Sequence, residues 1–528
     1  MNLYSKATKE VDALPSGSQI GAFFNFDNTI IYGNSATTYL REQVKRGDIS
    51  PKELVELTQV MTQFGLGNMD FSSLITVSSQ YLRGIAEADY LELSEQLYNK
   101  HLAKLVYPES RALIEAHLRK GHTVAIVSAA TPYQIMPAAK ELGVEHVRCS
   151  KLEVVDGVFT GSIVRSAYNG KGKVDAVEQL AHQFDIDVSQ SFFYTDSDQD
   201  LELLRHVGKP RPLNPSKMLR RIAQSRGWPV QDFNSRGRIT LFDYAKTVAT
   251  QASMLTSFIA GLPIYALTGS ISKTRNFSIS LFADTACAIS GIELDVSGEE
   301  NVWANRPCVF LFNHQSKADV IIMTSLLRRD LAGVGKKEIA DVPILGTLMK
   351  IGGTVLIDRE NSQSARDSME PLIDVLQNEG RSVCIAPEGT RSTSTALGPF
   401  KKGAFHLAMQ AGVPIVPIVI HNAFDVAPKG QFVFRPATVK ITVLPAIDVG
   451  EWTAETLNQH VADVRDQFLE ELGQKPSQFD FAEPNQKTNK VVSAKTVNVA
   501  VKEAKSVKTK KPAAKVLKVS AKAFKKDA

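Results

Sequence analysis

The chain has 528 residues, of which 43% are apolar and 22% charged, and a formal net charge of +5. That length exceeds one hydrophobic core and implies two or three domains of ordinary globular composition. Cys149, Cys287, Cys308 and Cys384 lie far apart with no C-x-x-C spacing, which argues against a disulfide framework or a zinc site and fits a reducing cytosol. The charge is unevenly spread. From Asn485 to Ala528 there are 13 lysines against Glu503 and Asp527, a local balance of +11, so the remaining 484 residues carry −6. Met1 to Ser18 is polar, and no secretory leader is expected there.

In chain order, Gly21–Ile31 reads as a buried strand running into a polar turn, Asn25-Phe26-Asp27-Asn28-Thr29. Ser35 to about Lys104 has a helical pattern. Two more buried strands follow: Thr123–Val127, ending at Ser128, and Ser191–Thr195, ending at Asp196. Strands alternating with helices predict a parallel sheet with polar residues at its carboxyl edge. Thr247 to Ser272 carries no charge and is bracketed by Lys246 and Lys273. Its 26 residues match a bilayer span in length, but Thr, Ser and Gln are frequent and Pro263 is expected to interrupt it. An interfacial hairpin, or a helix dipping into one leaflet, is the expectation; a span and plain core packing stay open. Pro307–Phe312 and Ser382–Ala386 read as buried strands of a second, mixed sheet. Beyond Lys475 the Lys-rich composition cannot offset its chain entropy, so a disordered tail is expected.

Four blocks in the C-terminal half carry chemistry. They are Asn313-His314-Gln315-Ser316-Lys317-Ala318-Asp319, then Gly353–Arg359, then Pro387-Glu388-Gly389-Thr390-Arg391-Ser392, and Val413–Pro417. Acyl transfer to a hydroxyl needs a base and a group that holds its tautomer. His314 and Asp319 are five residues apart, roughly 140° off one face of a helix, so they pair only if His314 precedes the helix and Asp319 reaches back. An isolated pair at this spacing is more often accidental; the cationic blocks downstream reverse that judgement. Each of Arg359 and Arg391 suits a phosphomonoester, since a guanidinium donates two parallel hydrogen bonds.

Residues 297–450 thus resemble the 1-acylglycerol-3-phosphate acyltransferase family. The resemblance implies that His314 takes the proton of the acceptor hydroxyl and that Asp319 orients the imidazole. It assigns Asn313, Arg359, Glu388, Gly389, Thr390 and Arg391 to substrate binding. It implies lysophosphatidate as acceptor and acyl-coenzyme A or acyl carrier protein as donor, with no cofactor for the transfer.

Residues 21–215 resemble haloacid dehalogenase superfamily hydrolases, in the phosphoserine phosphatase-like subfamily, with Ser35–Lys104 where that family inserts a cap. Its D-x-D-x-T block here begins with Asn25, where the family has its nucleophile. The resemblance implies Asp27 as general acid, Ser128 and Lys173 on phosphate, and Mg2+ held by Asp196, Asp27, Asn25 and Asp200. A neutral amide cannot form an aspartyl phosphate and is a poorer magnesium ligand. A silent or phosphate-sensing domain is the leading reading; residual phosphatase activity, or activity through another nucleophile, stays open.

The expected fold is α/β throughout. An extension (1–20) precedes a Rossmann-like haloacid dehalogenase domain (21–235, helical cap about 34–105). An apolar, membrane-associated segment (236–296), a mixed α/β glycerolipid acyltransferase domain (297–474) and the tail (475–528) follow. The acyltransferase is expected on the cytoplasmic face of a membrane, with the tail on anionic lipid. The tail's near absence of aromatics argues against nucleic acid as its partner.

Overall fold

The computed structural model describes residues 3–47, 79–165, 170–233, 235–237, 239–342, 345–357 and 370–474, with isolated positions at 55, 59, 62 and 77. Arg359, most of the stretch between 48 and 78, and the Lys-rich tail lie outside these residues.

The N-terminal half is built on five strands: β1 (Gly21–Phe24), β2 (Thr123–Val127), β3 (His146–Arg148), β6 (Phe192–Thr195) and β7 (Lys209–Pro212). They form one sheet in the order β3-β2-β1-β6-β7, with every pairing parallel. β1, β2 and β6 are buried at every residue, which accounts for their uninterrupted apolar sequences. The order runs outward in both directions from β1, so the carboxyl ends of β1 and β6 flank a crevice open to ligands. Asn25 and Asp196 begin there. A separate hairpin, β4 (Lys151–Val155) and β5 (Val158–Arg165), turns on Asp156 and Gly157, both at positive φ. The predicted cap contributes helices Ser35–Arg46 and Glu87–Leu97 among the described residues.

The C-terminal half holds seven strands: β8 (Ile292–Ser297), β9 (Val309–Phe312), β10 (Leu331–Lys336), β11 (Val355–Ile357), β12 (Ser382–Ile385), β13 (Ile415–Ile420) and β14 (Ala437–Val443). Their order is β11-β10-β12-β9-β13-β14-β8, and only β13 and β14 pair antiparallel. β9 therefore lies between β12 and β13, and the loops leaving all three strands share one edge. β8 falls within the stretch expected to be a linker. Its in-register pairing with β14 makes it the sheet's edge instead.

The uncharged segment departs from expectation at Pro263, which does not interrupt it. A capping box between Thr240 and Asp243 starts a helix at Leu241, and it runs unbroken through Pro263 to Thr268. Gly269, at φ 63°, ends it in the left-handed conformation, and Ser270 caps a second helix, Ile271–Ser290. The two pack as a hairpin at small residues: a Cβ on Gly261 would lie 2.2 Å from Ser278 Oγ. The first helix is long and apolar enough to cross a membrane by length and composition, with 33% of its most apolar window buried. Its faces are inverted relative to a water-soluble helix. Thr247, Thr250, Ser253, Ser257 and Gly261 face inward, whereas Val248, Ile259, Leu262, Tyr265 and Leu267 are exposed.

Candidate active sites

The first site lies where β9, β12 and β13 end. Asn313 follows β9 and bonds Ile420 twice, donating Nδ2 to its carbonyl at 2.8 Å and accepting its N–H at 2.7 Å. This side chain continues the β9–β13 ladder by one step and fixes where the next residue, His314, emerges. His314 stands in the loop, and Asp319 is the first residue of helix Asp319–Leu327. Nδ1 of His314 lies 2.7 Å from Oδ2 of Asp319, and the N–H groups of Gln315 and Ser316 reach the same oxygen at 2.9 Å each. The carboxylate is 1% exposed and faces a helix amino terminus, where negative charge is favoured. With Nδ1–H donated to Asp319, Nε2 is the basic nitrogen of the imidazole.

Glu388 braces this loop from the β12 side. Oε1 accepts the His314 N–H at 2.7 Å; Oε2 accepts the Ser392 hydroxyl at 2.8 Å and the Gly398 N–H at 3.0 Å. The Ser392 N–H returns to the His314 carbonyl at 2.8 Å. Burial raises the Glu388 pKa, and those three donors oppose the rise. Both of its oxygens are engaged with protein, so its geometry is that of a strut for the histidine.

Gly389 sits at φ 72°, which strains any L side chain, and a Cβ there would press on the Lys401 side chain, 3.1 Å from Nζ. Thr390 is exposed and Arg391 half-buried. The Arg391 carbonyl accepts Lys429 Nζ at 2.8 Å. Lys317 lies over the rings of Phe432 and Phe434, at 4.7 and 5.4 Å, and burial followed by the charge of Arg391 lowers its pKa. Arg391, Lys317, Lys401 and Lys429 thus form a cationic rim. Lys317 and Lys429 were not singled out in the sequence. Lys317 could have been, since it lies within the histidine block; Lys429, 38 residues from Arg391, carries no local signal.

The second site lies at the carboxyl edge of the N-terminal sheet. Lys173, buried, donates to Asn25 Oδ1 at 3.2 Å and to Asp200 at 2.8 Å, and Asp200 also accepts the Thr195 hydroxyl at 2.6 Å. Oδ1 of Asp196 is approached at 3.4 Å by both Asn25 Nδ2 and the Thr29 hydroxyl. Asp27 accepts the Ser35 N–H at 2.6 Å through Oδ1, while its Oδ2 is buried without a protein partner. Ser128, at the end of β2, is buried and its hydroxyl accepts the Ala130 N–H at 3.3 Å.

These residues fit the magnesium implied by the sequence poorly. The Lys173 ammonium holds the amide oxygen of Asn25 toward itself, so the NH2 group points at Asp196. A donor stands where Mg2+ needs an oxygen. Asp200 is occupied by Lys173 and Thr195. Among the described residues, no three His, Cys, Asp or Glu side chains form a metal-binding group. Burial pushes Asp27 up to about 6 and Asp196 up to about 7, well above the ordinary carboxylate range.

Comparisons with known proteins divide the chain along the same line. The acyltransferase family model matches residues 293–421, and the haloacid dehalogenase-like hydrolase model matches residues 22–205. A 1-acyl-sn-glycerol-3-phosphate acyltransferase of Saccharomyces cerevisiae is 34% identical over 201 residues, which is 37% of this chain and 66% of that protein. One from Limnanthes douglasii is 34% identical over 36% of this chain and 67% of its own length. The phosphoserine phosphatase SerB1 of Mycobacterium tuberculosis is 30% identical over 217 residues, 40% of this chain and 70% of the relative. The match thus spans about two thirds of the length of each relative.

The raised carboxyl groups have a sign that can be checked. Asp27 and Asp196 hold protons in the folded chain at pH values where the unfolded chain has lost them. Their contribution to stability is therefore present at low pH and is lost as pH rises from about 4 through about 7. Asp196→Asn should flatten the upper part of that decline, measured as the urea midpoint between pH 4.5 and 8. An unchanged slope would show that Asp196 ionises normally.

Proposed function

We propose that this chain, which belongs to the acyltransferase family through its C-terminal half and to the haloacid dehalogenase-like hydrolases through its N-terminal half, is a 1-acyl-sn-glycerol-3-phosphate O-acyltransferase. The observation that carries this reading is the His314–Asp319 pair, set in a braced loop beside a cationic rim. Nε2 of His314 removes the proton of the acceptor hydroxyl, and the oxygen attacks the thioester carbonyl. The new C–O bond forms as the C–S bond breaks, and the imidazolium returns its proton to the departing thiolate. Asp319 holds the tautomer and stabilises the cation, as a carboxylate does in hydrolase triads. Arg391 and Lys317, with Lys401 and Lys429 further out, bind the phosphate of lysophosphatidate; Arg359, Gly389 and Thr390 are assigned there by resemblance. Acyl-coenzyme A or acyl carrier protein supplies the acyl group. His314→Ala should lower kcat by about 10²–10⁴-fold, the usual range for a lost general base, with the melting temperature held. Retention of a tenth of the activity would remove His314 from that role.

Both substrates partition into lipid, and the outward apolar face of helix Leu241–Thr268 supplies the anchor on a membrane's cytoplasmic face. The residues to charge are Leu262 and Leu267. Phe258, central in the sequence, faces inward, with its ring near Gly352. A buried leucine contributes about 1.5–3 kcal/mol, so Leu262→Asp with Leu267→Asp should move the protein from floating vesicles to the soluble fraction. Undiminished flotation would put the anchor elsewhere. The lysines of the tail add about 1 kcal/mol each near anionic lipid, screened by salt.

The N-terminal half is read as a phosphate-binding domain impaired as a phosphatase. Asn25 supplies neither a nucleophile nor the charge magnesium needs. Asn25→Asp restores both with almost no change in volume. It should yield magnesium-dependent release of phosphate from phosphoserine or related monoesters where the parent has almost none. Brisk turnover by the parent would show that Asn25 does not disable the site.

A further inference from the structure

The two halves meet at a buried ionic knot within one compact unit. Arg111, on helix Pro108–Arg119 of the N-terminal half, donates to Asp425 Oδ1 at 2.9 Å across 314 residues of sequence, and lies 3.4 Å from Glu141. Arg236 approaches the same Asp425 oxygen at 3.5 Å. Arg111, Arg236 and Asp425 are all buried.

Two arms lead from this knot to the acyltransferase loops. Phe424, next to Asp425, packs its ring in the core of the N-terminal half, and its N–H donates to Gln315 Oε1 at 3.3 Å. The Gln315 N–H is one of the donors on the Asp319 oxygen that holds His314. On the other arm, Glu141 Oε1 accepts the Thr395 hydroxyl at 2.5 Å. Thr395 lies between Ser392 and Gly398, the two residues that hold Glu388, which in turn holds the His314 backbone. Both loops that bracket the histidine are therefore fastened to one guanidinium of the other half.

We propose that Arg111 is a positioning residue for acyl transfer, so that the phosphatase-like half is a structural part of the acyltransferase site. This rests on the acyltransferase reading above. Removing the guanidinium takes away the shorter of two buried cation contacts to Asp425 and leaves Arg236 at 3.5 Å, and the chain adjusts to the lost charge by moving the 422–427 segment and the Gln315 loop with it. A displacement of that kind changes the distance between base and hydroxyl, on which the rate depends steeply.

The test uses the full-length chain, lysophosphatidate, and palmitoyl-coenzyme A or palmitoyl-acyl carrier protein as donor. Arg111→Gln should lower kcat by about tenfold or more with KM for lysophosphatidate within about twofold, because orientation and not binding is lost. Arg111→Lys, which keeps the charge but not the fork that spans two carboxylates, should recover part of it. Thr395→Val cuts the second arm at a half-buried position. It should lower kcat about threefold and displace the acid limb of the pH–kcat profile, which reports the base. A merely structural clasp predicts a lower melting temperature with kcat of the folded protein and the pH profile unmoved, and that result overturns the proposal. If Arg111→Gln does not fold, an unmoved Thr395→Val overturns it alone. Absence of acyl transfer in the unaltered chain would instead refute the acyltransferase reading.

Discussion

One carboxylate oxygen, Oδ2 of Asp319, accepts the imidazole of His314 and the N–H groups of Gln315 and Ser316, and the geometry of the C-terminal site follows from it. Because Asp319 is also the first residue of its helix, the helix dipole favours the charge that gathers these loop donors and orients the histidine. Replacing this acid would thus release the 314–316 loop and the imidazole together.

The sheet order extends that local constraint. β9 lies between β12 and β13, so the histidine loop has a neighbour on each side. Asn313 ties it to β13 and Glu388 ties it to β12. Asparagine suits the first task because its amide both donates and accepts, copying a peptide unit. Glutamate suits the second because its carboxylate accepts from the several N–H and O–H groups converging there, and burial, which raises its pKa, is offset by them.

Much of this was legible in the sequence because the signals were local. The five-residue spacing of His314 and Asp319 excluded one face of a helix and required a loop before it. The apolar runs ending at Asn25, Ser128, Asp196 and Asn313 marked strand ends. What could not be read depended on partners far along the chain. The inward engagement of Glu388 depends on His314, 74 residues away. Lys429 meets the rim only through folding, and the Arg111–Asp425 pair spans 314 residues. Pro263 was expected to break a helix that in fact continues. A helix with exposed apolar residues such as Ile259, Leu262 and Leu267 and hydroxyls on its inner face shows no soluble-type periodicity, so composition located the segment without indicating its faces.

The contact between Lys173 and Asn25 bears on how the N-terminal half responds to its ionic surroundings. Sites of this kind usually crowd several acids around one lysine and rely on a dication to balance them. Here the amide removes one negative charge, Asp200 matches Lys173, and Asp27 and Asp196 are held toward their neutral forms. Protons on Asp27 and Asp196 thus do part of what a dication would do in balancing the pocket, and the N-terminal half is expected to tighten on mild acidification more than on addition of magnesium.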